Sequence, residues 1–147
     1  MEDKAKTIKL RDVKLSPYIL YNGNAEEALN FYKDVLGGEI SQLGRYGESP
    51  MPCEDSEKHL IMHARLEFDG NMLMISDSSQ GRTVLEGDNV QLSVDVESME
   101  RINEVFAKMS DGGVVITELQ DMFWGARFGM LKDKFGIRWM FNHEQKK

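Results

Sequence analysis

Apolar residues recur along this chain with two periods, and the order in which those periods follow one another is repeated. An extended run from Tyr18 to Tyr21 precedes Ala28, Leu29, Tyr32, Val35 and Leu36, which keep the spacing of one helix face. Arg65 to Asp77 then alternates around a turn at Asp69, Gly70 and Asn71. Downstream, Leu92 to Val96 leads into a second helical stripe of Ile102, Val105, Phe106 and Met109, and Phe128 to Asn142 alternates around Lys134, Phe135 and Gly136. Strands are expected near 17–22, 38–46, 59–69, 71–77, 89–96, 113–120, 126–133 and 136–142. Asn24 with Glu27 reads as a capping box for the first helix and Ser98 as the cap of the second. Gly37 and Gly38 stop the first helix, and Gly112 supplies the left-handed residue after the second. Gly47 to Asp55 has no pattern and two prolines, which predicts a mobile loop; 78–89 reads as a linker between the copies. Two copies of one unit normally enclose a site between them.

Length and charge narrow the picture. A chain of 147 residues suits one domain, here 15–142, made of modules 15–77 and 89–142 after an N-terminal extension, 1–14. With 25 acidic against 18 basic residues the formal charge is −7, which opposes docking on nucleic acid or an anionic membrane surface. The single cysteine, Cys53, cannot form an internal disulfide, and no apolar run approaches the roughly 18 residues of a membrane span. The charged stretch Met1 to Lys14 lacks the apolar region of a secretory signal, so a cytoplasmic soluble protein is expected.

The motifs carry a resemblance. Ala28-Leu-Asn-Phe-Tyr-Lys-Asp-Val-Leu-Gly37 after the Gly23-Asn24 turn, within a tandem βαβββ unit, resembles the glyoxalase/bleomycin-resistance (vicinal oxygen chelate) superfamily. Ser16-Pro-Tyr, Asn22-Gly-Asn-Ala-Glu-Glu-Ala, Ile61-Met-His-Ala, Met72-Leu-Met-Ile-Ser-Asp and Phe123-Trp-Gly-Ala-Arg-Phe-Gly are similar to its PhnB-like branch, over about Leu15 to Asn142. That branch carries the label of a 3-demethylubiquinone methyltransferase, although nothing in the chain resembles a methyltransferase nucleotide site. The resemblance implies an α+β fold in which tandem βαβββ modules form a curved eight-stranded mixed sheet around a cleft, helices outside. A ferredoxin-like sandwich is the alternative. It also implies a homodimer.

The superfamily's chemistry rests on a divalent metal held by His, Gln or Glu. Carried onto this chain, the ligand positions fall on Pro17, Met74, Met140 and Asn89 or Gln91, so three of the four lack a suitable donor. Strand alternation places Ile19, Tyr21, His63, Arg65, Glu67, Met72, Met74, Ser76, Gln91, Ser93, Arg127, Leu131, Arg138, Met140 and Asn142 on the concave face. Tyr18, Leu20, Leu73, Ile75, Trp139 and Phe141 fall beneath the helices.

Methionine conforms to irregular apolar ligands, while Arg and His orient a carboxylate, phosphate or carbonyl oxygen. The candidate ligand-binding residues are therefore His63, Arg65, Glu67, Met74, Gln91, Trp124, Arg127, Arg138, Met140 and Asn142. In the sharpest form Arg127, with Arg65 or Arg138, orients the oxygen, while Met74, Met140 and Trp124 cover the apolar body. Plainer roles compete: His63 as a hydrogen-bonded structural residue, Arg65 and Glu67 as members of a cross-strand ion-pair network, Trp124 as core, Asp121 as a turn cap. Cys53 lies in the loop with no identifiable base. The expected function is uptake of a small organic molecule without a metal or other cofactor. The alternative is a lyase, isomerase or dioxygenase whose metal is drawn from His63, Glu67, Gln91 and Asn142.

Overall fold

The structure, a computed structural model, describes residues 13–145, so all of the expected N-terminal extension except Val13 and Lys14 lies outside the described residues. The order of elements is β1 (Tyr18–Tyr21), α1 (Ala25–Leu36), β2 (Glu39–Arg45), β3 (Ile61–Phe68), β4 (Asn71–Asp77), then β5 (Leu92–Asp95), α2 (Met99–Met109), β6 (Val114–Asp121), β7 (Ala126–Lys132) and β8 (Arg138–Glu144). The eight strands hydrogen-bond as two four-stranded mixed sheets, β1-β4-β3-β2 and β5-β8-β7-β6. In each, the first strand pairs parallel with the last and the remaining pairs are antiparallel. This is the expected α+β architecture of tandem βαβββ modules, but the eight strands form two sheets instead of one continuous sheet, with β1 and β5 as edge strands.

Helix α1 buries Ala25, Ala28, Leu29, Tyr32, Val35 and Leu36, and α2 buries Ile102, Val105, Phe106 and Met109, as their periodicity requires. Ser98 caps α2, its Oγ accepting from the Arg101 amide at 3.0 Å. The capping box expected at Asn24 is absent. The buried carboxylate of Asp77 does that work instead: its Oδ1 accepts from the amides of Gly23 and Ala25, both at 2.9 Å, and its Oδ2 from Ile61 N. A carboxylate there satisfies free amides and complements the positive end of the helix dipole. At the other end of α1, Arg101 of α2 reaches the carbonyls of Val35 and Leu36 at 3.3 and 3.4 Å.

The stretch read as a patternless loop contains two 3-10 turns, Tyr46–Glu48 and Asp55–Glu57. It is fastened at both ends. Arg45 pairs with Glu26 through both terminal nitrogens and donates to the His59 carbonyl, and the Tyr46 hydroxyl donates to the Asp77 carbonyl at 2.7 Å.

Antiparallel partners directly opposite each other point to the same side, so the register assigns the faces. Leu131 opposes Trp139, Gly129 opposes Phe141 and Arg127 opposes His143; this is the helix side of the sheet, where Phe141 and Arg127 meet α2 and Trp139 meets Tyr32 of α1. Lys132, Met130 and Phe128 oppose Arg138, Met140 and Asn142 on the inner face. Arg127 and Leu131 were expected on the inner face, and that expectation is corrected. The strand bounds expected there, 126–133 and 136–142, leave an even number of residues between β7 and β8. The connection is the five-residue loop 133–137, closed by Asp133 accepting the amides of Phe135 and Ile137. An odd loop shifts the parity of the preceding strand by one and turns every side chain over.

Candidate functional site

Strand β1 also turns over relative to expectation. Tyr18 opposes Met74 and Leu20 opposes Ser76, which puts Tyr18 and Leu20 on the inner face. Ile19 and Tyr21 go beneath the helices, because the Tyr21 hydroxyl donates to that of Tyr32 on α1. The inner face of the first sheet therefore carries Tyr18, His63, Arg65, Glu67, Met72, Met74 and Ser76; that of the second carries Ser93, Asp95, Phe128, Met130, Arg138, Met140 and Asn142. His63, Arg65, Glu67, Met74, Arg138, Met140 and Asn142 lie on the expected faces. Gln91 leads into β5 in the same alternation.

A cavity of about 890 Å³ lies between the edge strands of the two sheets. One wall is β1 and its flanks, Leu15 to Asn22; a second is the linker and the start of β5, Val84 to Leu92; the third is the loop from Phe135 to Arg138. Of the candidates, Gln91 and Arg138 line it, together with Tyr18, Asn22 and Glu86, which sequence reasoning did not assign. Asn22 fixes the linker by imitating a backbone pairing: its Nδ2 donates to the Val84 carbonyl at 3.0 Å and its Oδ1 accepts from the Val84 amide at 2.8 Å. Within the motif Asn22-Gly-Asn it reads only as a turn residue.

Charge in the cavity is unbalanced. Arg138 stands beside Lys132 across the β7–β8 ladder, and Lys132 pairs with Glu86 at 3.1 Å. Arg138 has no ion pair among the described residues, and its buried Nε has no hydrogen-bond partner. The buried Nε of Arg65 is in the same condition, and neither Arg65 nor Glu67 enters the competing cross-strand ion-pair network among the described residues. Arg65 and His63 lie on the first sheet outside the cavity wall, and His63 Nδ1 is 3.1 Å from the Tyr18 hydroxyl. Eight of the ten candidates, all but Trp124 and Arg127, thus divide between two inner faces instead of converging on one point.

The other two leave the site. Arg127 donates from Nε to Asn103 Oδ1 on α2 at 2.9 Å and from Nη1 to Asp121 at 3.0 Å. Its hydrogen bond, reinforced by one from Gln145, holds the Asp121 carboxyl below the usual carboxylate range. Trp124 sits at the exposed β6–β7 turn, edge-on to Phe123 at 4.9 Å between ring centroids, neither in the core nor on the cavity wall. Glu67 opposes Glu39 and Met72 on neighbouring strands, and Asn142 reaches Asp95 at 3.5 Å.

The divalent metal implied by the superfamily does not fit the donors of this chain. The inner-face row at mid-strand is Tyr18 and Met74 in one sheet, Ser93 and Met140 in the other. Among the described residues no three His, Cys, Asp or Glu side chains come together as an ion would require. His63 and Glu67 belong to one sheet, Gln91 and Asn142 to the other side of the chain's repeat. No helix among the described residues is long and apolar enough to cross a membrane.

Comparison with known proteins agrees with this architecture. Protein PA1353 from Pseudomonas aeruginosa superposes with a TM-score of 0.84 at 36% identity, over 91% of this chain and 99% of that one. A PhnB protein from Bacillus cereus gives 0.76 at 28%, over 89% and 99%. A glyoxalase family protein, also from Bacillus cereus, gives 0.66 at 12%, over 94% and 100%, and shares the fold alone. The family model for 3-demethylubiquinone-9 3-methyltransferase matches residues 13–141. With that match running from before β1 into β8, and with two mixed sheets under paired helices, the chain belongs to this PhnB-like family, built on the glyoxalase/bleomycin-resistance fold.

Proposed function

We propose that this protein binds a small organic molecule bearing an oxyanion, in the cavity between its modules and without a divalent metal. The observation that carries the reading is Arg138, whose buried Nε has no partner at the wall of a cavity of about 890 Å³. An unpaired buried donor is unfavourable by about 1–3 kcal/mol, a cost an incoming oxygen would remove. Pro17, Leu20, Leu85, Phe135 and Ile137 would pack against the apolar body, and Gln91 offers a second polar contact. The binding unit in this reading is one domain, 15–142, of modules 15–77 and 89–142. The name of the family does not supply a reaction for these residues, and none is assigned.

The test is a thermal-shift and calorimetric screen of small aromatic and aliphatic carboxylates, phosphonates and carbonyl compounds. Replacing Arg138 by Met is expected to weaken a hit by about tenfold to a hundredfold, the equivalent of one charge-assisted contact. Hits that bind Arg138→Met as tightly as wild type would overturn the reading.

A homodimer is part of the same proposal. Tyr18 and Leu20, 47% and 45% exposed, leave apolar surface on the inner face, and Val114 and Ile116, 58% and 44% exposed, leave more along β6. Light scattering at micromolar concentration is expected to give twice the chain mass; a monomer would defeat it. The acidic balance and the unpaired Cys53 suit a cytoplasmic location.

A further inference from the structure

We infer that the inner face of the first sheet carries an oxyanion site of its own, formed by Arg65, His63 and Tyr18 over Met74. It goes beyond the cavity reading and does not depend on Arg138. Tyr18, Met74 and Arg65 form one row across β1, β4 and β3, because Tyr18 opposes Met74 and Met74 opposes Arg65. Neighbouring strands lie about 4.8 Å apart, so the ends of the row are separated by about 10 Å, the width of a small organic anion.

Each member of the row is prepared for a ligand in a different way. Met74 is an apolar, conformable floor. Arg65 is held between β2 and β4 with its Nε buried and unpartnered and with no ion pair among the described residues. The Tyr18 hydroxyl and His63 Nδ1 lie 3.1 Å apart, with the rings tilted at 5.7 Å between centroids, so each fixes the other's position on this face. His63 is two residues before Arg65 and shares its side of the strand. An oxygen placed above Met74 would thus meet the Arg65 guanidinium and, one step along the same strand, His63 with the Tyr18 hydroxyl that reaches it from β1. Such donors, already fixed by the fold, recognise a carboxylate or a similar oxyanion.

The surroundings set the charge that fits. Glu67, the next inner-face residue along β3, opposes Glu39 of β2. These two carboxylates border Arg65 on the open side and disfavour a multiply charged anion. The ligand class is therefore a small monoanion with an apolar body that rests on Met72 and Met74.

The experiment uses benzoate as probe and nitrogen-15 spectra of the histidine rings and arginine Nε–H groups of the full chain. Benzoate is expected to shift the Arg65 Nε–H and the His63 ring nitrogens saturably. Arg65→Met should weaken that response by about tenfold or more and Tyr18→Phe by about fivefold, while Arg138→Met leaves it within about twofold. If Arg65→Met does not fold, Arg65→Lys, which keeps the charge and removes the Nε–H, is expected to weaken it as well. Shifts that do not saturate, or that survive loss of Arg65, would overturn the site. Loss of the His63 response in Arg138→Met would overturn its separateness. Because the cavity is tested on Arg138 and this face on Arg65, failure of one leaves the other standing.

Discussion

The Tyr32 hydroxyl donates to Asp133 Oδ2 at 2.5 Å, joining the helix of the first copy to the hairpin loop of the second, 101 residues away. The same carboxylate accepts from Trp139 Nε1 at 2.8 Å and from the amides of Phe135 and Ile137 at 2.8 and 3.0 Å, while Tyr21 donates to Tyr32 at 3.0 Å. One buried group therefore shapes the β7–β8 loop, orients the largest core side chain and links the modules. The Tyr32 and Trp139 rings, 5.5 Å apart between centroids, seal the junction.

Tyr32→Phe keeps the ring and deletes the donor, leaving Asp133 one bond short and Tyr21 without its acceptor. Stability is expected to fall by about 1–3 kcal/mol, read from urea unfolding. A loss below about 0.5 kcal/mol would mean that the link between modules is carried by apolar packing alone.

Burial pushes both Tyr21 and Tyr32 upward from the ordinary tyrosine value, with the negative charge of Asp133 adding in the same direction. The folded chain therefore keeps protons that the unfolded chain releases above about pH 10, so this part of the stability is complete below about pH 10 and is lost as pH rises. Absorbance at 295 nm and near-ultraviolet circular dichroism are expected to show Tyr21 and Tyr32 ionising only together with loss of tertiary structure. Ionisation of either with the fold intact would contradict this.

Gly129 lies beneath α2 where a Cβ would stand 2.6 Å from Phe106 Cε1 and 3.0 Å from the Cα of Leu119. Gly129→Ala is expected to cost about 1–3 kcal/mol through overpacking. Combining it with Phe106→Leu should restore part of the loss, since the ring is the closest obstacle. Additive losses in the double variant would place the strain in the backbone of β6 instead.

Arg127 joins α2 to β6, so its replacement by Met is expected to leave affinity in the cavity unchanged and to lower Tm by about 2–5 °C. The depressed carboxyl of Asp121 gives stability that is present above the ordinary aspartate value near 3.9 and is lost as pH falls through its lower folded value. Arg127→Met should flatten that acid limb. A large fall in ligand affinity without a change in stability would return Arg127 to the site.

Much of this protein was legible in its hydrophobic periods. Tyr32, Val35 and Leu36 on one helix stripe and Ile102, Val105 and Phe106 on the other are buried as their spacing requires, and the eight strands fall where alternation placed them, with ends displaced by at most three residues. Local chemistry also sufficed for Ser98, whose cap involves residues only three apart. What the sequence could not determine was parity across irregular connections. Asp133 closes a five-residue loop through bonds to Phe135, Ile137, Trp139 and the distant Tyr32, and that closure decides that Arg127 faces α2 while Met130 faces inward. Likewise Tyr21 turns beneath the helices because its partner is the buried Tyr32, which places Tyr18 beside His63. Side chains alternate with a period of two, so a single residue of slip exchanges the faces completely; only long-range hydrogen bonds fix that choice. Sequence therefore determined the elements and the residue types available to a ligand, and tertiary structure decided which of those residues share a face.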